Sequence, residues 1–104
     1  MNRKIQRVAS DLKKAIASKY ELLDFKVFGS TARAERRPDS DIDIFVLLPQ
    51  VERHIEEDLF NIAYDIELEH DCLIDLIVFG MEEKDAILTK TPFYRQVIEE
   101  GVGV

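Results

Sequence analysis

Two aspartates, Asp41 and Asp43, stand at the head of an otherwise apolar run, Ile42-Asp43-Ile44-Phe45-Val46-Leu47-Leu48. No other feature constrains the fold as strongly. A β-branched and aromatic run stopped by Pro49 reads as a buried strand. In a strand, side chains at i and i+2 point the same way, so both carboxylates lie on one side of it. Upstream, Val27-Phe28 runs into Gly29-Ser30-Thr31-Ala32-Arg33, where an apolar strand leaves through a glycine–serine turn. Backbone N–H groups and a hydroxyl in such a turn suit phosphate oxygens. Together the two halves describe a site for a nucleoside triphosphate and its divalent metal.

The remaining pattern supplies a frame for that pair. Ile5, Val8, Leu12 and Ala15/Ile16 recur at helical spacing between charged residues, so about 2–19 reads as an amphipathic helix. Residues 22–28 read as a strand ending at Gly29, and 30–36 as a short helix. Arg37-Pro38-Asp39-Ser40 is a turn signal. After the strand 42–48, Val51, Ile55, Leu59, Ile62 and Ile66 mark a helix over about 51–69. Residues 73–79 read as a third strand stopped by Gly80, with a short helix near 82–88. Thr91 as N-cap, Pro92 at the first helical position and Gly101 past the end punctuate a last helix. The order α-β-α-β-α-β-α-α predicts an α/β (α+β) sandwich, a small mixed sheet of three or more strands packed against helices.

At 104 residues the expectation is one domain, 1–104. The apolar runs are far shorter than a membrane span, no signal-peptide pattern opens the chain, and the lone Cys72 cannot form an internal disulfide. The expected location is therefore the cytoplasm. The formal charge of −7, from 21 acidic against 14 basic residues, argues against nucleic acid as the main ligand, because phosphate contacts call for a basic surface. It suits a basic protein partner, or serves solubility alone.

Nucleotidyl transfer needs a triphosphate held, its charge neutralised and the attacking and leaving oxygens in line. Two metal ions do this when several carboxylates converge on them, and magnesium prefers such hard oxygen ligands. Asp41 and Asp43 supply a pair. Asp75, inside Leu73-Ile74-Asp75-Leu76-Ile77-Val78, is the acid placed to complete it from a neighbouring strand, where a buried lone charge would be costly. As a plain structural acid, Asp75 would pair with a strand-end N–H or with Arg33.

Gly29-Ser30-Thr31-Ala32-Arg33 with Ser40-Asp41-Ile42-Asp43 resembles the signature of the DNA polymerase β-like nucleotidyltransferase superfamily. The short length is similar to its minimal nucleotidyltransferases, the antitoxin half of HEPN/MNT toxin–antitoxin pairs. The resemblance runs from about Asp24 to Gly101 and includes the ending Thr91-Pro92-Phe93-Tyr94-Arg95-Gln96-Val97-Ile98-Glu99-Glu100-Gly101-Val102. Ala34 departs from a frequent glycine, which a helix tolerates well. The resemblance implies that Gly29 and Ser30 contact the triphosphate and that Asp41, Asp43 and Asp75 bind Mg²⁺, two ions in all, as catalytic ligands. It further implies transfer of AMP from ATP to a tyrosine of a HEPN-domain RNase toxin, which is thereby silenced in a hetero-oligomer. Arg33 would orient the site or neutralise phosphate; alternatively it caps its helix or pairs with an aspartate. A non-catalytic antitoxin acting by occupancy is the competing reading, and transfer to a small molecule such as an aminoglycoside a lesser one.

Other residues read more plainly. His54 and His70 have no metal-ligand spacing and are expected at the surface. Cys72 is expected to pack as a small apolar residue. Arg36 and Arg37 are expected in solvent on their turn. Phe93, Tyr94 and Val97 either join the core or form a docking surface.

Overall fold

The computed structural model describes residues 3–28, 41–81 and 101–103. Their elements run α1 (Arg3–Ala17), β1 (Asp24–Phe28), β2 (Ile42–Leu48), α2 (Arg53–His70), β3 (Ile74–Gly80) and β4 (Val102–Gly103). The short helices expected near 30–36, 82–88 and 92–100 lie outside the described residues, as do Arg36, Arg37, Phe93, Tyr94 and Val97.

The four strands form one mixed sheet in the order β3-β2-β1-β4. β1 pairs antiparallel with β2 and with β4, and β2 pairs parallel with β3. A parallel pair needs a long crossover, and α2 supplies it. The expected α+β frame of a small mixed sheet on helices is what the chain adopts. β4 has only two residues, too few to show a periodicity, and the sequence gives no hint of it.

Alternation along β2 decides the layering. Ile42, Ile44, Val46 and Leu48 are buried with Ile5, Val8, Ala9, Leu12 and Ile16 of α1 and with Leu59, Ala63 and Ile66 of α2. The helical stripes read from the sequence are thus core, and Cys72 packs at its edge. The opposite face of the sheet carries a second cluster, Phe28, Phe45 and Leu47, with Ile77 and Phe79 against it. Phe45 and Phe79 stack at 5.8 Å between ring centroids.

Side chains fix how the helices meet. Tyr20 donates its hydroxyl hydrogen to Asp58 at 2.6 Å, and Lys19 reaches the same carboxylate at 3.6 Å. His70 Nε2 lies 2.8 Å from Asp11 Oδ2, tying α2 to α1. With its side chain only 18% exposed, His70 is not the free surface residue expected; the pairing partner lies 59 positions away, out of reach of any local spacing rule. His54 is exposed as expected.

Asp71 ends α2 in the left-handed region, φ 51°, with its N–H bonded to the Glu67 carbonyl. Aspartate is among the few side chains that adopt this cap. Glu67 then accepts a hydrogen bond from the Ile74 N–H at 2.9 Å, which aims β3 back along the sheet. Gly80 does not stop that strand but closes it, buried. A Cβ there would sit 3.1 Å from the Val51 backbone nitrogen, so glycine lets β3 pass beneath the β2–α2 connection.

Candidate active site

The register of the sheet assembles the carboxylates. Asp43 faces Asp75 across the parallel β2–β3 pair and Phe28 across the antiparallel β1–β2 pair. Directly paired residues share a face, so Phe28, Asp43 and Asp75 form one row across three strands. Asp41, two residues before Asp43, enters on the same side. This row lies on the face away from α1 and α2, because Ile42 and Ile44 take the helix side. Beyond it the same face is a buried apolar cluster, Phe45 beside Ile77 and then Leu47 beside Phe79. The carboxylates thus stand at the end of that buried cluster.

Burial differs among them. Asp43 is half-buried, while Asp41 and Asp75 are exposed. The expectation of Asp75 as a charge within a buried strand is corrected here: Asp75 is exposed, and among the described strands β3 lies at the edge of the sheet. Electrostatics reflects the crowding. Burial first, then the negative charges of Asp75 and Asp41 and a hydrogen bond with Asp75, push the Asp43 carboxyl above the ordinary carboxylate range. Like charges sharing a site cannot all ionise freely.

Such a donor set suits a hard divalent cation. Oxygen ligands, a net negative charge and solvent access on one side match what magnesium takes, with room for waters and phosphate. A bound cation would also relieve the repulsion that raises Asp43. Gly29, Ser30 and Arg33 lie outside the described residues. Phe28, the residue before Gly29, is the register partner of Asp43, so the chain leaves β1 at the row of acids.

Two other features stand apart. Asp11, Glu69 and His70 bring their ligand atoms within 4.8 Å of one another, a mixed set at the α1–α2 seam that sequence spacing could not reveal. A cleft of about 510 Å³ opens among Lys13, Tyr20, Glu21, Leu22, Phe25 and Gly103. It begins at the start of β1, the opposite end of that strand from Phe28.

The family model for the nucleotidyltransferase domain matches residues 9–102, and the chain belongs to that family. Among curated proteins none matches. Solved structures share the fold. A toxin–antitoxin crystal structure with AMP-PNP is similar at TM-score 0.64 and 21% identity, covering 91% of this chain and 70% of that one. A structure described as a candidate minimal nucleotidyltransferase matches at 0.64 and 18%, covering 96% and 95%. A toxin–antitoxin MntA–HpeT structure, in a variant with two aspartates two positions apart changed to glutamate, matches at 0.58 and 21%, covering 98% and 70%.

Proposed function

We propose that this chain is a magnesium-dependent nucleotidyltransferase that acts as an antitoxin, moving AMP from ATP to a tyrosine of a HEPN-domain toxin. The observation that carries the reading is the row of acids: Asp43 and Asp75 in register, with Asp41 entering beside them. Membership of the nucleotidyltransferase domain family supports the reaction class. The likeness to toxin–antitoxin structures, one of them with a nucleotide analogue, supports the partner and the donor. In the MntA–HpeT variant the two altered aspartates have the spacing of Asp41 and Asp43.

Asp41 and Asp43 would hold magnesium, with Asp75 the third ligand. Bound there, the metal would neutralise charge on the phosphate oxygens and acidify the attacking hydroxyl. The tyrosine oxygen forms a bond to the α-phosphorus, the bond from that phosphorus to the β-bridging oxygen breaks, and pyrophosphate leaves. Asp75 would help remove the hydroxyl proton, as base or through its metal. Gly29 and Ser30 would hold the β- and γ-phosphates through backbone N–H groups and the hydroxyl, and Arg33 would neutralise phosphate charge. The whole of 1–104 is taken as one catalytic domain, working in the cytoplasm.

Mass spectrometry of the toxin after incubation with the chain, ATP and magnesium tests this. The expected result is an AMP-sized addition on a tyrosine; an unmodified toxin, with nucleotide binding to the chain confirmed, rejects the transferase reading. Replacing Asp41 and Asp43 by asparagine separates catalysis from occupancy. Neutralisation that survives the change is the signature of a purely binding antitoxin.

A further inference from the structure

The outward face of α2 is built unlike the rest of the described surface. Phe60, Tyr64 and Leu68 recur at i, i+4 and i+8 and are 46%, 58% and 66% exposed. Residues at this spacing line one face of a helix, and the core side of α2 is already taken by Leu59, Ala63 and Ile66. An aromatic and leucine stripe in water gains nothing for the isolated chain. Charge surrounds it. α2 carries six acids, Glu56, Glu57, Asp58, Asp65, Glu67 and Glu69, against one cation, Arg53, which is paired with Glu57 at 3.2 Å. Asp58 is engaged by Tyr20 and Lys19 and Glu67 by the Ile74 N–H, which leaves Glu56, Asp65 and Glu69 as exposed acids beyond the Arg53–Glu57 pair. α1 bears Arg3, Lys4, Arg7, Lys13 and Lys14 against Asp11, a balance of +4.

These facts choose the occupant. A second copy meeting α2 against α2 would set acid on acid across a two-fold contact. A second copy meeting through its basic α1 would make a head-to-tail contact, and α1 presents no exposed apolar stripe to match. We infer that the exposed face of α2 is a docking surface for a cationic amphipathic helix of a partner protein. Its apolar side would lie along Phe60, Tyr64 and Leu68, and its lysines or arginines would meet the flanking acids. α2 and the row of acids lie on opposite faces of the sheet, so this surface can be filled while the carboxylates stay open. The inference does not depend on the transfer reaction.

The probe is a synthetic helical peptide with leucines at i, i+4 and i+8 and lysines on its flanks, against a permuted peptide of equal composition without an apolar face. Fluorescence anisotropy should show the patterned peptide binding about tenfold or more tighter than the permuted one. Tyr64→Ala with Leu68→Ala should remove about tenfold of that affinity, with the thermal midpoint unchanged because both side chains are exposed. Raised salt should weaken the remainder. Equal binding of the two peptides, or binding indifferent to the double substitution, would overturn the inference. So would sedimentation showing a self-associated wild type that the double substitution makes monomeric.

Discussion

Asp43 sits between two other carboxylates, Asp75 and Asp41, at the margin of the sheet interior. Its proton is held more tightly in the folded chain than in the unfolded one, because burial and the charges of Asp75 and Asp41 raise it. The folded state therefore binds more protons through that interval. Without metal, stability should fall as pH rises from the ordinary carboxylate value, about 4, through the raised folded value. Asp43→Asn removes the repulsion. We expect the variant to melt a few degrees higher than wild type at neutral pH without magnesium, with the pH-linked difference between the two vanishing in acid. The same change should lower magnesium-dependent transfer by about 10²-fold or more. Calorimetry across pH and a turnover assay check both arms; a destabilised variant with full activity would contradict the assignment. The pairing of Asp41 with Asp43 was legible because a strand's two-residue period is strict. Asp75 was legible as an acid in an apolar run, but its exposure was not, since an edge position is a property of sheet order.

Among the elements, β2 has the bounds read from its sequence, 42–48, because Pro49 and an unbroken apolar run leave no other choice. α1 and α2 match in kind and shift by one to two residues at their ends, where fraying and capping rather than periodicity decide. The ties Asp11–His70 and Tyr20–Asp58 join residues far apart in sequence, so no local spacing points to them. Leu59 has no exposed surface and packs between α1 and the sheet. Leu59→Ala should cost about 2–5 kcal/mol in urea unfolding; a loss within error would mean that α2 does not pack on the core. His70→Ala should cost about 0.5–1.5 kcal/mol. Asp11→Ala should add little once His70 is gone, and a double-mutant cycle measures that coupling. Full additivity would show the contact to be inert.

At the scale of the molecule, the sheet divides two tasks. One face and its acid end carry the chemistry proposed for the chain, while the other holds a helix layer with a basic α1 and an acidic, partly apolar α2. The net charge of −7 was readable at once as unfavourable to nucleic acid. Its concentration on the helix over about 51–69 was countable in the sequence too; the exposure of Phe60, Tyr64 and Leu68 on that helix was not. No described helix is long and apolar enough to cross a membrane. Nucleotide affinity should stay within about twofold of wild type when Tyr64 and Leu68 are replaced by alanine, because mutations at distant sites act independently; calorimetric titration with an ATP analogue measures it, and a large loss would mean the two faces are coupled.

The proposal that Asp41, Asp43 and Asp75 jointly hold a catalytic cation has a direct test. Crystals of the chain grown with a non-hydrolysable ATP analogue and manganese in place of magnesium test it through anomalous scattering. Peaks are expected within about 2.0–2.3 Å of oxygens from Asp41 and Asp43, with Asp75 alongside and the triphosphate bridging. Manganese found only at Asp11, Glu69 and His70, or a bound nucleotide with no cation at the row of acids, would contradict it.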